Sequence, residues 1–209
     1  MEIIKKGAEL LNIKIPQKVA KAIVHYSNGL ASVCHQLCLN ICFCAEIFKT
    51  VRPKQTLDSS IIEEALTLYL EGTSDTLKNS FEKAFKLGNQ RKHRNSDIII
   101  KALSYCSQEG ASRSEIFNKI KIEIDQYPQG NLTNYLKKLQ TDEFGSIIRY
   151  EPNSGRYYFS NPIYRAFSQV YFRSGYIQHS EALLDITEEL MGFLKLEVRK
   201  MAKLANGKL

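Results

Sequence analysis

The sequence predicts a mainly α-helical fold: a helical bundle, then three more helices with a small β-hairpin, and finally a long C-terminal helix. Two observations predict it. Apolar residues recur at spacings of three and four along most of the chain, which is the period of a helix. A strand pattern stands out at one place, where the β-branched and aromatic runs at 147–150 and 156–159 are separated by the turn sequence EPNSG.

Residues 1–87 read as one domain of helices without a convincing strand. Their apolar stripes are interrupted at Ser27-Asn28-Gly29, at Pro53 and at Gly72, and Gly and Pro are the residues that most often end or start helices. This makes five helices before the first long polar stretch. They are expected at about residues 2–11, 17–26, 30–48, 59–70 and 75–86.

A polar and basic stretch, GNQRKHRN at residues 88–95, suits an exposed linker and marks a domain boundary. Beyond it the helices are expected at about residues 97–106, 115–121 and 131–139, and the hairpin follows them. Helix, helix, helix, hairpin is the order of a winged helix-turn-helix domain, which we assign to residues 96–175. A helix resumes at Pro162, and residues 176–209 are expected to form the amphipathic C-terminal helix.

The basic surplus of the chain is concentrated in its middle. The formal net charge is +7, and residues 86–175 carry 14 Lys and Arg against 8 Asp and Glu, whereas residues 1–85 carry 10 against 9 and residues 176–209 carry 5 against 5. A local excess of this kind indicates an anionic partner, with nucleic acid as the first candidate. A generic solvated basic surface is the alternative.

Membrane and disulfide features are not expected in this sequence. No apolar run approaches the roughly 20 residues that span a bilayer, and the N-terminal sequence MEIIKKGAELL lacks the apolar core of a signal peptide. We therefore expect a soluble, cytoplasmic protein without a membrane partner. Its five cysteines are expected to be reduced thiols, because the chain is long and apolar enough to build a core without disulfides.

The third helix of the second domain has the side chains of a DNA-recognition helix. In NLTNYLKKLQ, residues 131–140, apolar side chains at spacings of three and four are expected to face the core. The polar side chains opposite them are of the types that reach base edges and phosphates in the major groove. Arginines of the hairpin and the basic linker add contacts to the DNA backbone. The predicted duplex-DNA-binding residues are Asn131, Thr133, Asn134, Lys137, Lys138, Arg149, Arg156, Arg91, Lys92 and Arg94.

Two alternatives to DNA binding stay open. A polar helix face can simply be solvated, and many winged helices bind only protein. In the second alternative the chain is a protein-interaction or oligomerisation module, in which the winged helix is a packing element. Its C-terminal helix then mediates a homodimer or docks on the winged helix.

Two stretches of the chain resemble known domains. IKIPQKVAKAIVHYSNGLASVCHQLCLNIC is similar to the helical lid of AAA+ and STAND-type ATPases, in which a helix pair leads to a turn before the next helix. LTNYLKKLQTDEFGSIIRYEPNSGRYYFSNPIYRAF resembles the winged helix that follows the lid in prokaryotic and archaeal ATPases, including origin-recognition ATPases. Together they cover residues 1 to about 175. The resemblance implies a regulatory, DNA-binding C-terminal part of such an ATPase.

The sequence departs from these ATPases at the nucleotide site. No G-x-x-x-x-G-K-[ST] motif occurs, so we expect neither enzymatic activity nor a cofactor in this chain. ATP and Mg²⁺ would bind in a full-length parent, and the implied partner is an ATPase core domain of the same or another polypeptide. Ala31 stands where the STAND pattern has proline, and Ser32 stands where the AAA+ pattern has its sensor arginine. The resemblance implies that Gly29 and Ser32 lie next to the nucleotide in the parent, and an ordinary turn before a helix is the alternative.

The stretch CHQLCLNICFC, residues 34–44, holds four of the five cysteines and raises the question of a metal or redox site. Cys34, Cys38 and Cys42 recur every four residues, and at a rise of about 1.5 Å per residue the first and last lie roughly 12 Å apart on a helix. One zinc ion with bonds of about 2.3 Å to sulfur cannot hold all three, so only a pair could share an ion with ligands from elsewhere. The apolar neighbours instead predict that Cys34, Cys38 and Cys42 occupy core positions, whereas Cys44 points to another face, and we expect no metal site. The four histidines lack a catalytic motif, and no catalytic residue is assigned.

Overall fold

The computed structural model describes residues 1–86 and 94–173. Met1–Tyr171 is one compact unit, and Phe172–Leu209 is a second unit of which the first two residues are described. In the described part the protein is mainly α-helical, as predicted, and none of the helices there is both long and apolar enough to cross a membrane. Outside the described residues lie the predicted C-terminal helix at 176–209, Arg91 and Lys92.

Five helices and two very short strands make up residues 1–86. The helices are α1 Glu2–Leu11, α2 Gln17–Ser27, α3 Ala31–Cys44, α4 Ile61–Glu71 and α5 Asp75–Lys86, so the five predicted helices are confirmed. The expectation that this part has no strand is wrong. Strand β1 (Ile13–Lys14) pairs in parallel with β2 (Gln55–Thr56). Two residues per strand are too few to produce the alternating pattern by which strands are predicted.

Helix α3 ends earlier than predicted, at Cys44 instead of Phe48. Glu46 adopts a left-handed conformation with a φ of 56°, which a right-handed helix does not continue through. The turn lets the Ile47 N–H donate to the Cys42 carbonyl oxygen at 2.8 Å, and it buries the Ile47 side chain in the core. The apolar residues after the turn continue the helical spacing in the sequence, although they are not part of the helix. This is why the predicted helix was too long.

Three helices and a hairpin follow in the predicted order. They are α6 Asn95–Ser104, α7 Arg113–Glu123, α8 Gln129–Lys138, β3 Ile148–Glu151 and β4 Arg156–Phe159, with a short 3-10 turn at Asp142–Phe144. Helices α6, α7 and α8 pack against one another. The strands are antiparallel, and Ala111 bridges to Tyr157 through hydrogen bonds of 2.9 and 2.8 Å, which ties the hairpin to the loop between α6 and α7. A last helix, α9, begins at residue 162 and continues to the end of the described residues.

Helices on the two sides of the predicted linker pack together inside the first unit. Phe81 of α5 is fully buried, and its ring centroid lies 4.6 Å from that of Phe167 and 5.6 Å from that of Tyr164, both on α9. Ala166 and Val170 of α9 are buried in the core cluster that α1 to α4 form. The parts of the chain assigned to two domains therefore share one compact unit as far as residue 171.

Gly145, in the turn before β3, lies in close contact with the backbone of α5. Its φ of 77° lies in the left-handed region, and a Cβ added to it would collide with the Ser80 carbonyl oxygen. Glycine alone meets both demands, because it has no Cβ. Gly155 in the hairpin turn also has a positive φ, 65°, but an added Cβ there would meet no atom within 4 Å.

We expect Gly145→Ala to lower the free energy of unfolding clearly more than Gly155→Ala. Both substitutions place a side chain at positive φ, which costs roughly 1–2 kcal/mol. The backbone collision at Gly145 adds to that cost, so a total loss of roughly 2–4 kcal/mol is expected there. Urea unfolding followed by circular dichroism measures both losses. Equal losses would show that close contact with α5 is not what requires glycine at residue 145.

Candidate nucleic-acid interface

Helix α8 buries one side and exposes the other, as its apolar spacing predicts. Asn134 and Lys137 are exposed, whereas Asn131, Thr133 and Lys138 are half-buried. Of the five predicted contacts on this helix, one amide and one ammonium group are therefore exposed to solvent, and the other three polar side chains lie beside them. The buried side chains, which pack it into the unit, are Leu132, Tyr135, Leu136 and Leu139.

Arg113 extends this surface from the start of α7. Ser112 and Glu115 form a capping box, in which the Ser112 hydroxyl accepts from the Glu115 N–H at 3.3 Å and the Glu115 carboxylate accepts from the Ser112 N–H at 2.7 Å. This second hydrogen bond lowers the pKa of Glu115. Arg113, the first helical residue, donates from Nη1 to Thr133 Oγ1 of α8 at 2.7 Å. It was not among the predicted contacts, although the Ser-x-x-Glu pattern around it predicts a helix start.

Lys138 lies along the protein surface. Its Nζ is 5.1 Å from the ring centroid of Tyr135 and 5.4 Å from that of Phe144, so the ammonium group makes cation–π contacts with both rings. Lys137 is exposed on the neighbouring position of the same helix. The two predicted DNA-binding lysines of α8 therefore differ in how firmly their side chains are held.

The two arginines of the hairpin have partners within the fold. Arg156 donates from Nη1 to the Gly110 carbonyl oxygen at 2.8 Å and lies 3.5 Å from the Glu115 carboxylate. The guanidinium carbon of Arg149 is 5.3 Å from the ring centroid of Tyr158. Arg156 is half-buried and uses part of its donor capacity internally, whereas Arg149 is exposed. Arg149 is thus the hairpin arginine better placed to meet an external anion.

The basic surplus of the middle of the chain is divided between residues 86–93 and the segment that follows them. Residues 94–171 carry 10 Lys and Arg against 8 Asp and Glu, whereas residues 86–93 carry three basic residues and no acidic one. Arg94, predicted as a DNA contact, forms an ion pair of 2.7 Å with Asp97. Burial raises the pKa of the Asp97 carboxyl, and the Arg94 guanidinium opposes that rise. Residues 94–171, with 10 basic and 8 acidic side chains, therefore carry only a small positive formal charge.

The turn between α2 and α3 is built by Asn28 and Gly29, both in the left-handed region with φ of 49° and 76°. Helix α3 begins without a side-chain capping hydrogen bond. Gly29 and Ser32, which the resemblance places beside a nucleotide, are both exposed. Asn28 makes the tertiary contacts of the turn: its Nδ2 donates to Gln169 Oε1 at 2.7 Å, and its Oδ1 accepts from Arg165 Nη1.

The cysteines of α3 are buried or half-buried. Cys34 belongs to the core, as predicted, and Cys38, Cys42 and Cys44 are half-buried side chains packed against it. Cys38 and Cys42 line an apolar groove of about 460 Å³ between α1 and α3. Burial, together with the neighbouring Cys34, raises the pKa of the Cys38 thiol to about 12, and burial also raises the pKa of Cys42.

Within residues 1–86 and 94–173, no group of three or more His, Cys, Asp or Glu side chains is arranged to hold a metal ion.

No protein-family model matches the sequence, and no significant match was found among curated proteins or solved structures. The likeness to AAA+ and STAND ATPases therefore rests on the two sequence stretches, and it stays a prediction.

We expect Cys38 to react slowly with iodoacetamide in the folded protein at neutral pH. The thiolate is the reacting form, and a pKa of about 12 leaves very little of it. An ordinary thiol titrates near about 8.5, so its labelling rate levels off above that pH, whereas the rate at Cys38 should keep rising. Mass spectrometry of the labelled peptides measures the rate at each cysteine. The urea-unfolded chain is the control, and equally fast labelling of Cys38 before and after unfolding would contradict the expectation.

Proposed function

We propose that this chain binds duplex DNA through a winged helix formed by α6, α7, α8 and the β3–β4 hairpin. The observation that carries the proposal is α8, which packs into the unit by its apolar side and exposes Asn134 and Lys137. The bridge between Ala111 and Tyr157 supports it, because it anchors the hairpin at the loop that joins the first two of the three helices. A recognition helix flanked by a hairpin wing is the arrangement that winged helix-turn-helix domains use.

In this proposal α8 enters the major groove. Asn134 offers an amide, the group that pairs with adenine edges, and Lys137 neutralises a phosphate. Arg113 approaches the DNA backbone from the start of α7 while it holds Thr133 in place. Arg149 and the basic linker add attraction that does not depend on base sequence. Binding is then electrostatic docking followed by groove insertion, and no covalent step takes place.

The first five helices are proposed to be the lid of a longer ATPase, of which this chain is a regulatory and nonenzymatic part. The order of a helical bundle before three helices and a hairpin is the order that the resemblance implies. Because the sequence lacks a P-loop, ATP and Mg²⁺ would be held by a core domain of the same or another polypeptide. In that arrangement the nucleotide state of the core would control how the winged helix is presented to DNA.

We expect the double variant Lys137→Ala with Lys138→Ala to bind duplex DNA more weakly and with a smaller salt dependence. Each lysine that neutralises a phosphate contributes about one unit to the slope of log K against log salt concentration. Removal of both should therefore reduce the magnitude of that slope by about two units. A gel-shift titration with a random duplex across a salt series measures it.

The matched control is Lys18→Ala with Lys21→Ala, which removes the same charge from exposed positions of α2. This control should leave the slope unchanged, and a thermal melt of each variant detects any loss of folding. Binding by the wild-type protein that does not depend on salt, or no binding at low salt, would contradict the proposal. A stable dimer in light scattering without any DNA shift would instead favour the protein-interaction alternative.

A further inference from the structure

A cavity of about 220 Å³ lies where the α2–α3 turn meets the hairpin and the start of α9. Its walls come from four parts of the chain: that turn, the loop after α6, the hairpin, and the first turn of α9. All four belong to the compact unit Met1–Tyr171. The lining side chains that matter here are Asn28, Gln108, Arg149, Tyr158 and Arg165.

Arg165 is the half-buried cation of this cavity. Its Nη1 donates to Asn28 Oδ1, its Nη2 donates to the Cys106 carbonyl oxygen at 2.6 Å, and its Nε is buried without a hydrogen-bond partner. Both acceptors are neutral, and no ion pair with a carboxylate involves Arg165 in the described part of the chain. Burial lowers the pKa of this guanidinium, which still stays charged because arginine titrates far above neutral pH. A half-buried charge without a counter-charge is unfavourable until an anion pairs with it.

Arg149 brings a second positive charge to the same cavity. Its guanidinium group lies over the Tyr158 ring, and no acidic side chain lines the cavity among the described residues. Gln108 adds a neutral donor, whose Nε2 is 3.4 Å from Asn28 Oδ1. Two guanidinium groups and an amide without an opposing carboxylate create a positive potential that favours an anion.

We propose that this cavity binds a phosphate group, with Arg165 and Arg149 as its ligands. Guanidinium groups suit phosphate because their planar donors can pair with two oxygens at once. The volume of the cavity suits inorganic phosphate or a small phosphomonoester. An oxygen that reached the buried Nε of Arg165 would also satisfy a donor that now lacks an acceptor. The site lies apart from α8, although it shares Arg149 with the proposed DNA-binding residues.

A bound phosphate would join the hairpin to α9. Because a ligand that binds only the folded state stabilises it, phosphate should raise the Tm of the protein. The hairpin contributes Arg149 and α9 contributes Arg165, which also donates to Asn28 of the α2–α3 turn, so stabilisation is expected for the unit as a whole.

The test is a titration of the full chain with inorganic phosphate at constant ionic strength, followed by calorimetry and by the shift in Tm. Chloride at the same ionic strength is the reference. A parallel titration with glycerol phosphate distinguishes the two sources of the phosphate group, since tighter binding of the ester assigns an esterified ligand and tighter binding of the inorganic ion assigns the free anion. Arg165→Met and Arg149→Ala should each raise the Kd for phosphate roughly tenfold or more, because each removes charge-assisted hydrogen bonds.

The controls separate this proposal from DNA binding. Lys21→Ala, and the pair Lys137→Ala with Lys138→Ala, should leave phosphate binding unchanged, whereas Arg165→Met should still shift duplex DNA. Arg165→Met removes internal hydrogen bonds and can lower stability, so Arg149→Ala at an exposed position provides the second measurement. Phosphate binding no stronger than the chloride reference, or Arg149→Ala protein that binds phosphate as tightly as the wild type, would overturn the proposal.

Discussion

Helix α9 packs against both halves of the compact unit, and the positions of the other elements depend on that packing. Ala166 and Val170 are buried in the core of α1 to α4, while Phe167 packs on an aromatic ring of α5. Toward α6, Gln169 donates to the Ser104 carbonyl oxygen at 2.8 Å. Because one helix supplies apolar and polar contacts to both halves, a movement of one half against the other would break both kinds of contact together.

The polar contacts of α9 restrict its position more than its apolar contacts do. Asn28 donates to Gln169 and accepts from Arg165, so the α2–α3 turn is hydrogen-bonded to the same helix that holds the end of α6. A buried amide or guanidinium group that loses its partner is unfavourable by roughly 1–3 kcal/mol, so these bonds favour a single arrangement. If the first helices are an ATPase lid, a movement of this turn would reach the proposed DNA-binding helices through Arg165 and Gln169.

The sequence predicts what depends on local pattern and misses what depends on distant partners. The helices and the hairpin follow from apolar spacing and turn residues, and so does the buried face of α8. The end of α3 was misplaced because the apolar side chain of Phe48 continues the pattern beyond the turn at Glu46. Asn28 and Arg165 stand 137 residues apart in the chain, and no local pattern indicates their contact. For the same reason the internal partners of Arg156 could not be predicted.

The internal contacts of the basic residues suggest which of them would contribute to the affinity of a DNA complex and which to the rate at which it forms. Arg113 and Lys138 are held by Thr133 and by two aromatic rings, partners that leave their positive charge in place. A side chain that is already ordered loses little conformational entropy on binding, whereas an exposed lysine such as Lys137 loses up to about 2 kcal/mol. In the proposed complex, the ordered cations would therefore favour tight contact with fixed phosphates. The basic residues of the predicted linker would act at longer range, where charge raises the rate of encounter more than the affinity of the final complex.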